Sequence, residues 1–219
     1  MKFDTQIDLY CERLSPGIWA EPLNLFSNLA FIVGAVFIFK MYRGAGQRNV
    51  FLEILIGLLF LVGMGSAAFH SLATMAAQIA DVTPIALMVF ASLYYLLRRL
   101  LGLPFQLVAI GFSLFFVLTW FGTLVPKDSV NGSQFYFGAF ATLGLIALFA
   151  KSKTKEIGNQ LIVVWLVLLT ALVFRTIDLR VCESFPVGTH FLWHTLNGIG
   201  LTLLLRCFVL HQIRLGNRA

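Results

Sequence analysis

Residues 51–70 read FLEILIGLLFLVGMGSAAFH. One carboxylate, Glu53, stands near the start, and the next ionisable side chain is His70 at the end. About 20 apolar residues, each rising ~1.5 Å, cross the ~30 Å hydrocarbon core of a bilayer. The stretch therefore predicts a membrane-spanning helix. Ser66 and His70, four residues apart near its end, fall on one helix face.

Stretches of the same kind recur at 23–41, 77–97, 104–125, 133–150, 159–177 and 189–210. Hydrophobic residues make up 59% of the 219 and charged ones 12%, and the mean hydropathy is +0.87. That composition excludes an ordinary soluble domain. The fold class expected is an all-α integral membrane protein, a bundle of seven transmembrane helices. It forms one domain over 1–219, with 1–22 as an extracytoplasmic N-terminal segment. The first twenty residues hold Asp4, Asp8 and Glu12 and lack a basic start followed by an apolar run, so they do not read as a cleaved signal peptide.

The net charge of +6 comes from basic residues set between apolar segments, not from a basic block interleaved with aromatics, so nucleic acid is not an expected partner. The same residues orient the bundle. With the N-terminus outside and the C-terminus cytoplasmic, the cytoplasmic side carries Lys40, Arg43, Arg48, Arg98, Arg99, Lys151, Lys153, Lys155, Arg206, Arg214 and Arg218. The other side keeps Lys2, Arg13, Lys127, Arg175 and Arg180. In that orientation Cys11 and Cys182 both face an oxidising exterior, and a Cys11–Cys182 disulfide is expected to tie the tail to the loop before residue 189.

The same topology puts His70, Asp81, His190 and His194 at one depth in the outward half. His190 and His194 are four apart and share a helix face. Three neutral imidazoles with a fourth position open are the pattern of a catalytic zinc site. The plain alternative is that these histidines hydrogen-bond helices together, but three of them, with a serine and an aspartate at one level, favour a metal. Asp81 fits a zinc ligand, an outer partner or the general base, and the base or water-orienting role is favoured. Ser66 fits either a hydrogen-bond donor to a reacting carbonyl or a bond to its own helix backbone. His211, beside Arg206 and Arg214, reads as an interfacial residue outside the site.

Gly65–His70 (GSAAFH), Gln78, Asp81 and Thr189–His194 (THFLWH) resemble the alkaline ceramidase family, as do Tyr10-Cys11-Glu12 and Trp19–Asn24 (WAEPLN) through Ser27-Asn28. The family belongs to a superfamily of seven-helix membrane hydrolases that includes the adiponectin-receptor-like proteins. The resemblance implies that His70, His190 and His194 bind zinc, that Asp81 holds or deprotonates the attacking water and that Ser66 supports the same centre. Eukaryotic members also hold calcium near the N-terminus through acidic residues, tryptophan and asparagine. Asp8, Glu12 and Glu21 are the candidates for hard-oxygen ligation of Ca²⁺ here. The pattern departs around them: Leu9-Tyr10 precede Cys11 where an Asp-Trp pair is expected, and Arg13-Leu14 follow Glu12.

The function expected is a zinc-dependent amidohydrolase that cleaves ceramide-like lipids to a sphingoid base and a fatty acid. An ester or other amide hydrolase of the same superfamily keeps every residue role. A seven-helix receptor or transporter with structural zinc is the non-enzymatic alternative. The partners expected are the lipid substrate and the bilayer, with no obligate protein partner. The short loops favour a bacterial inner membrane over an organellar one, with the site on the extracytoplasmic side.

Overall fold

The structure, a computed structural model, describes residues 3–46 and 48–216. Lys2 and Arg218, used above for orientation, lie outside the described residues. Among the described residues, seven helical stretches are long and apolar enough to cross a membrane. The first joins α1 (Pro22–Ser27) to α2 (Leu29–Gly44), and the second is α3 (Val50–Leu72). The third is α4 (Met75–Tyr94) with its π-helical continuation Tyr95–Leu100, and the fourth is α5 (Phe105–Thr123). A 3₁₀ turn at Ser133–Tyr136 leads into α6 (Phe137–Lys153), and α7 (Lys155–Val181) and α8 (His190–Gly216) complete the set. No strand occurs among the described residues, only a single bridge between Gln6 and Thr74.

Local chemistry sets the ends. The Asn49 side chain accepts from the amides of Phe51 (3.0 Å) and Leu52 (3.3 Å) and starts α3. Ala73, in the left-handed region at φ 46°, ends it, and Thr74 caps α4 through its hydroxyl. Within α4, Pro84 has no N–H to give the Ala80 carbonyl. That carbonyl lies against Gly65 of α3, where a β-carbon would clash with it and stand 3.2 Å from Cα of Asp81. Glycine at 65 is therefore what lets α3 and α4 approach closely beside Ser66 and Asp81.

Chain neighbours pack in order, α3 on α4, α6 on α7 and α7 on α8, and α2 also packs on α8. A buried apolar core, including Ile38, Leu55, Leu59, Tyr95, Leu205 and Phe208, fills the half of the bundle away from residues 70 and 190. Large apolar side chains such as Phe37, Leu61, Phe116, Trp120 and Leu148 are exposed on the outside of the bundle, as a lipid-facing surface requires. The N-terminal segment lies over the α3–α4 junction, where the Ile7 amide donates to Ala73 O (2.8 Å) and the Met75 amide to Thr5 O (3.2 Å).

Most spans run a few residues beyond the apolar stretches that mark them: the expected 77–97 is 75–100, the expected 159–177 is 155–181 and the expected 189–210 reaches 216, and polar groups beyond those stretches pair between helices. Arg214 of α8, for example, pairs with Glu156 of α7.

Candidate metal centre and catalytic pocket

His70 from the end of α3 meets His190 and His194 from the first turns of α8. One ring nitrogen from each lies within 4.8 Å of the other two, and all three residues are buried. Among the described residues this is the one group of three or more His, Cys, Asp or Glu side chains gathered so closely. Hydrogen bonds set the ring orientations. Nδ1 of His70 lies 2.5 Å from a Glu21 carboxylate oxygen. Nδ1 of His194 faces the Asn24 carbonyl (3.1 Å) and the Ser27 hydroxyl (2.9 Å). Both residues thereby point Nε2 inward, where the two Nε2 atoms approach to 3.2 Å. Two imidazole lone pairs facing at that distance repel unless a proton or a metal cation lies between them. Nδ1 of His190 is buried with no hydrogen-bond partner. Three nitrogens in this state fit a zinc ion, which binds neutral imidazole and relies on carboxylate or carbonyl partners behind it.

Those partners come from Glu21, just before the first span, and from Asn24 and Ser27 in its first turns. Glu21, 2% exposed, also pairs with Arg13 and accepts from Asn24 Nδ2 at 3.1 Å. Arg13, 6% exposed, donates to the His70 carbonyl at 2.9 Å. Burial pushes the Glu21 carboxyl up, but the bonds from His70, Arg13 and Asn24 outweigh it and hold the group below the usual carboxylate range. Glu12 accepts from the amides of Leu23 (2.6 Å) and Asn24 (2.8 Å), fastening the start of α1. Burial raises its affinity for a proton in spite of those two bonds. Tyr10 stacks on His190, ring centroids 3.7 Å apart, and burial pushes its phenol up.

These contacts correct the calcium expectation. Asp8 is exposed, Glu12 is taken by two backbone amides, and Glu21 is taken by a guanidinium and an imidazole. The three carboxylates serve three different partners and do not converge on one cation, so the residues present do not fit a Ca²⁺ site.

Asp81, in the second turn of α4, and Ser66 line one cavity with His190 and His194. The Ser66 hydroxyl lies 3.5 Å from Nε2 of His194, and one carboxylate oxygen of Asp81 is buried without a hydrogen-bond partner. Tyr10, Tyr136, Arg175 and Trp193 line the same cavity, and its largely apolar remainder, with Met88, Leu93, Leu96, Ile146 and Leu204, also includes Ser92, Thr142 and Asn197. The cavity, about 140 Å³, thus runs from the histidines into the apolar core. His211 is on α8 far from this group: 17 residues beyond His194 is about 25 Å along a helix.

Cys11 and Cys182 form a disulfide. A residue that sequence reasoning passed over stands beside it: Asp178, fully buried in α7. Its carboxylate accepts from the amides of Thr189 (2.6 Å), His190 (2.9 Å) and Cys11 (3.3 Å). It therefore begins the helix that carries two of the three histidines and fixes the N-terminal segment to it. Arg13, Asn24, Ser27 and Arg175 read in the sequence only as charges or motif positions and not as partners of the histidines, although a base at the end of an apolar stretch signals polar work.

A family model described as Ceramidase matches residues 7–218, and no curated protein matches the chain.

Proposed function

Because the chain belongs to the ceramidase family of membrane lipid hydrolases, we propose that it is a zinc-dependent amidohydrolase cleaving ceramide-like lipids to a sphingoid base and a fatty acid. In this reading 1–219 is one hydrolase domain in a bacterial inner membrane, with the N-terminus and the histidine cluster on the extracytoplasmic side and the C-terminus in the cytoplasm. The observation that carries the metal is the 3.2 Å approach of the His70 and His194 Nε2 atoms, with each Nδ1 already engaged. His190 supplies the third nitrogen.

His70, His190 and His194 would hold the zinc, which would supply Lewis acidity for the amide carbonyl and for the attacking water. The chain's own residues do the rest. Asp81 takes the proton of the attacking water and passes it to the nitrogen of the leaving amine as the C–N bond breaks. Ser66, beside His194, donates to the carbonyl oxygen as charge develops there. The apolar remainder of the cavity receives a hydrocarbon chain and keeps bulk water out.

The test is zinc content together with fatty-acid release by the purified protein, on a panel of ceramide, a matched ester and a simple N-acyl amide. Stoichiometric zinc and release from ceramide are expected. Preferential ester cleavage would move the chain to the ester-hydrolase reading. Bound zinc with no release from any lipid would favour a receptor or transporter.

A further inference from the structure

A second cavity, of about 530 Å³, adjoins the zinc pocket and shares Tyr10, Ile85, Tyr136 and Arg175 with it. Two cations, Arg175 and Lys127, line this vestibule, and no carboxylate does. Arg175 lies in α7 within the sixth span. Its guanidinium donates to the Asn131 carbonyl and to the Ser133 hydroxyl. It also lies 5.2 Å from the Tyr136 ring centroid and 5.8 Å from that of Trp193. These neutral partners orient the group without cancelling its charge. No Asp or Glu oxygen lies within 4.0 Å of it among the described residues, where the acid–base pairs are Arg13–Glu21, His70–Glu21 and Arg214–Glu156. A cation within a spanning segment is costly and marks a binding function by default. The buried carboxylates of Asp81 and Asp178 act on it only from a distance and form no ion pair with it, and an open space free of carboxylates lies beside it.

We infer that Arg175, assisted by Lys127 at the rim, binds an anionic head group of the lipid, so that the substrate class is acidic ceramide-type lipids carrying a phosphate, sulfonate or carboxylate, rather than neutral ceramide. The inference rests on the amidohydrolase reading above. In a sphingoid base the amide nitrogen and the head-group oxygen sit on adjacent carbons. A head group must therefore bind in the space next to the scissile amide, and the vestibule is that space. The planar guanidinium, held by Asn131 and Ser133 and backed by two aromatic faces, suits two anionic oxygens at once. A fatty-acid product offers a carboxylate too, but that group is generated at the histidines and not in the vestibule.

The experiment uses zinc-loaded protein in neutral detergent with two substrates of equal chain length, ceramide and ceramide 1-phosphate. Fatty-acid release and equilibrium binding are measured on the same preparations. Wild type is expected to favour the phosphorylated lipid by at least about tenfold in kcat/KM. Arg175→Gln should lose roughly 10- to 100-fold more on that lipid than on neutral ceramide, chiefly through KM, as expected for a lost charge-assisted pair. Arg175→Lys should keep most of the preference, and Lys127→Gln should cost only a few-fold. Equal losses on both lipids, or a wild-type preference for neutral ceramide, would overturn the inference. So would fatty-acid inhibition that weakens in Arg175→Gln as much as phosphorylated-lipid binding does, because the cation would then serve the product. Absence of release from either lipid would sink the amidohydrolase reading instead, and the binding ratio would still decide the head-group question.

Discussion

Arg13→Met removes the guanidinium beside Glu21 while keeping a chain of comparable reach. The carboxylate left behind is 2% exposed and retains only His70 and the Asn24 amide as partners. Breaking a buried ion pair from one side typically costs about 3–5 kcal/mol, since the remaining charge is neither hydrated nor paired. For a chain of this size that corresponds to a fall in Tm of roughly 6–20 °C. The bond from Arg13 to the His70 carbonyl (2.9 Å) is lost as well. Glu21 is the group that orients His70, and outer partners of this kind are worth about 10- to 100-fold in metal affinity.

A paired variant separates the two effects. Arg13→Met with Glu21→Gln removes both charges, so the desolvation cost of the orphaned carboxylate disappears and much of the stability should return. Zinc affinity should not return, because the neutral amide is a weaker acceptor for Nδ1–H of His70. Thermal unfolding in detergent and zinc competition against a chromophoric chelator read the two quantities independently. A single variant whose Tm lies within about 2 °C of wild type would show that the pair is worth less than ~1 kcal/mol and would refute the reasoning. A double variant less stable than the single would do the same.

Millimolar Ca²⁺, or a chelator that takes calcium and leaves zinc, should not move the Tm of wild type, because Arg13 already supplies the cation that Glu21 faces; a rise of several degrees with Ca²⁺ would contradict this. His70→Ala, His190→Ala and His194→Ala should each lose most bound zinc in elemental analysis while His211→Ala keeps it, and equal zinc in all four would dismiss the ligand assignment. Asp81→Asn should retain zinc yet lose about 10² to 10⁴ in kcat, and near-normal turnover would remove Asp81 from the mechanism. A reporter fused to the C-terminus should read as cytoplasmic, a periplasmic or luminal signal being the contrary result.

The spans were legible because a bilayer imposes one length and one composition on every crossing segment, and 51–70 shows both. The histidine cluster was legible for a local reason: His190 and His194 share a face at a spacing of four, and Ser66 precedes His70 by the same interval. What escaped has the opposite character. Glu21 meets His70 across 49 residues, Arg13 meets the His70 carbonyl across 57, and Asp178 meets the Cys11 amide across 167. No periodicity in a single sequence reports pairings at such separations. Glu12 and Glu21 read in the sequence as acids suited to calcium, while the structure engages them with backbone amides, Arg13 and His70. The guanidinium that engages Glu21 sits in the sequence as Arg13, directly after Glu12, where it reads as an outer-side charge and a departure from the family pattern.

The placement of these partners bears on how three histidines can be gathered within a bundle of apolar helices. Helices packed against lipid gain little from the hydrophobic effect between them, so helix packing alone is a weak way to hold three nitrogens at metal-binding distance. In this chain the precision comes from the N-terminal segment. Glu21 and Asn24 fix the rings of His70 and His194 by hydrogen bonds from that segment, and Tyr10 covers His190. Asp178 fastens the same segment to the start of α8, and the Cys11–Cys182 disulfide ties it to the end of α7. Each anchor touches a different ligand or the helix that carries it, so loosening any one of them degrades the geometry of the whole triad. On this account, variants in residues 10–24 should weaken zinc binding more than equally drastic changes in the apolar core around Leu55 and Phe208, which set the stability of the bundle without touching a ligand.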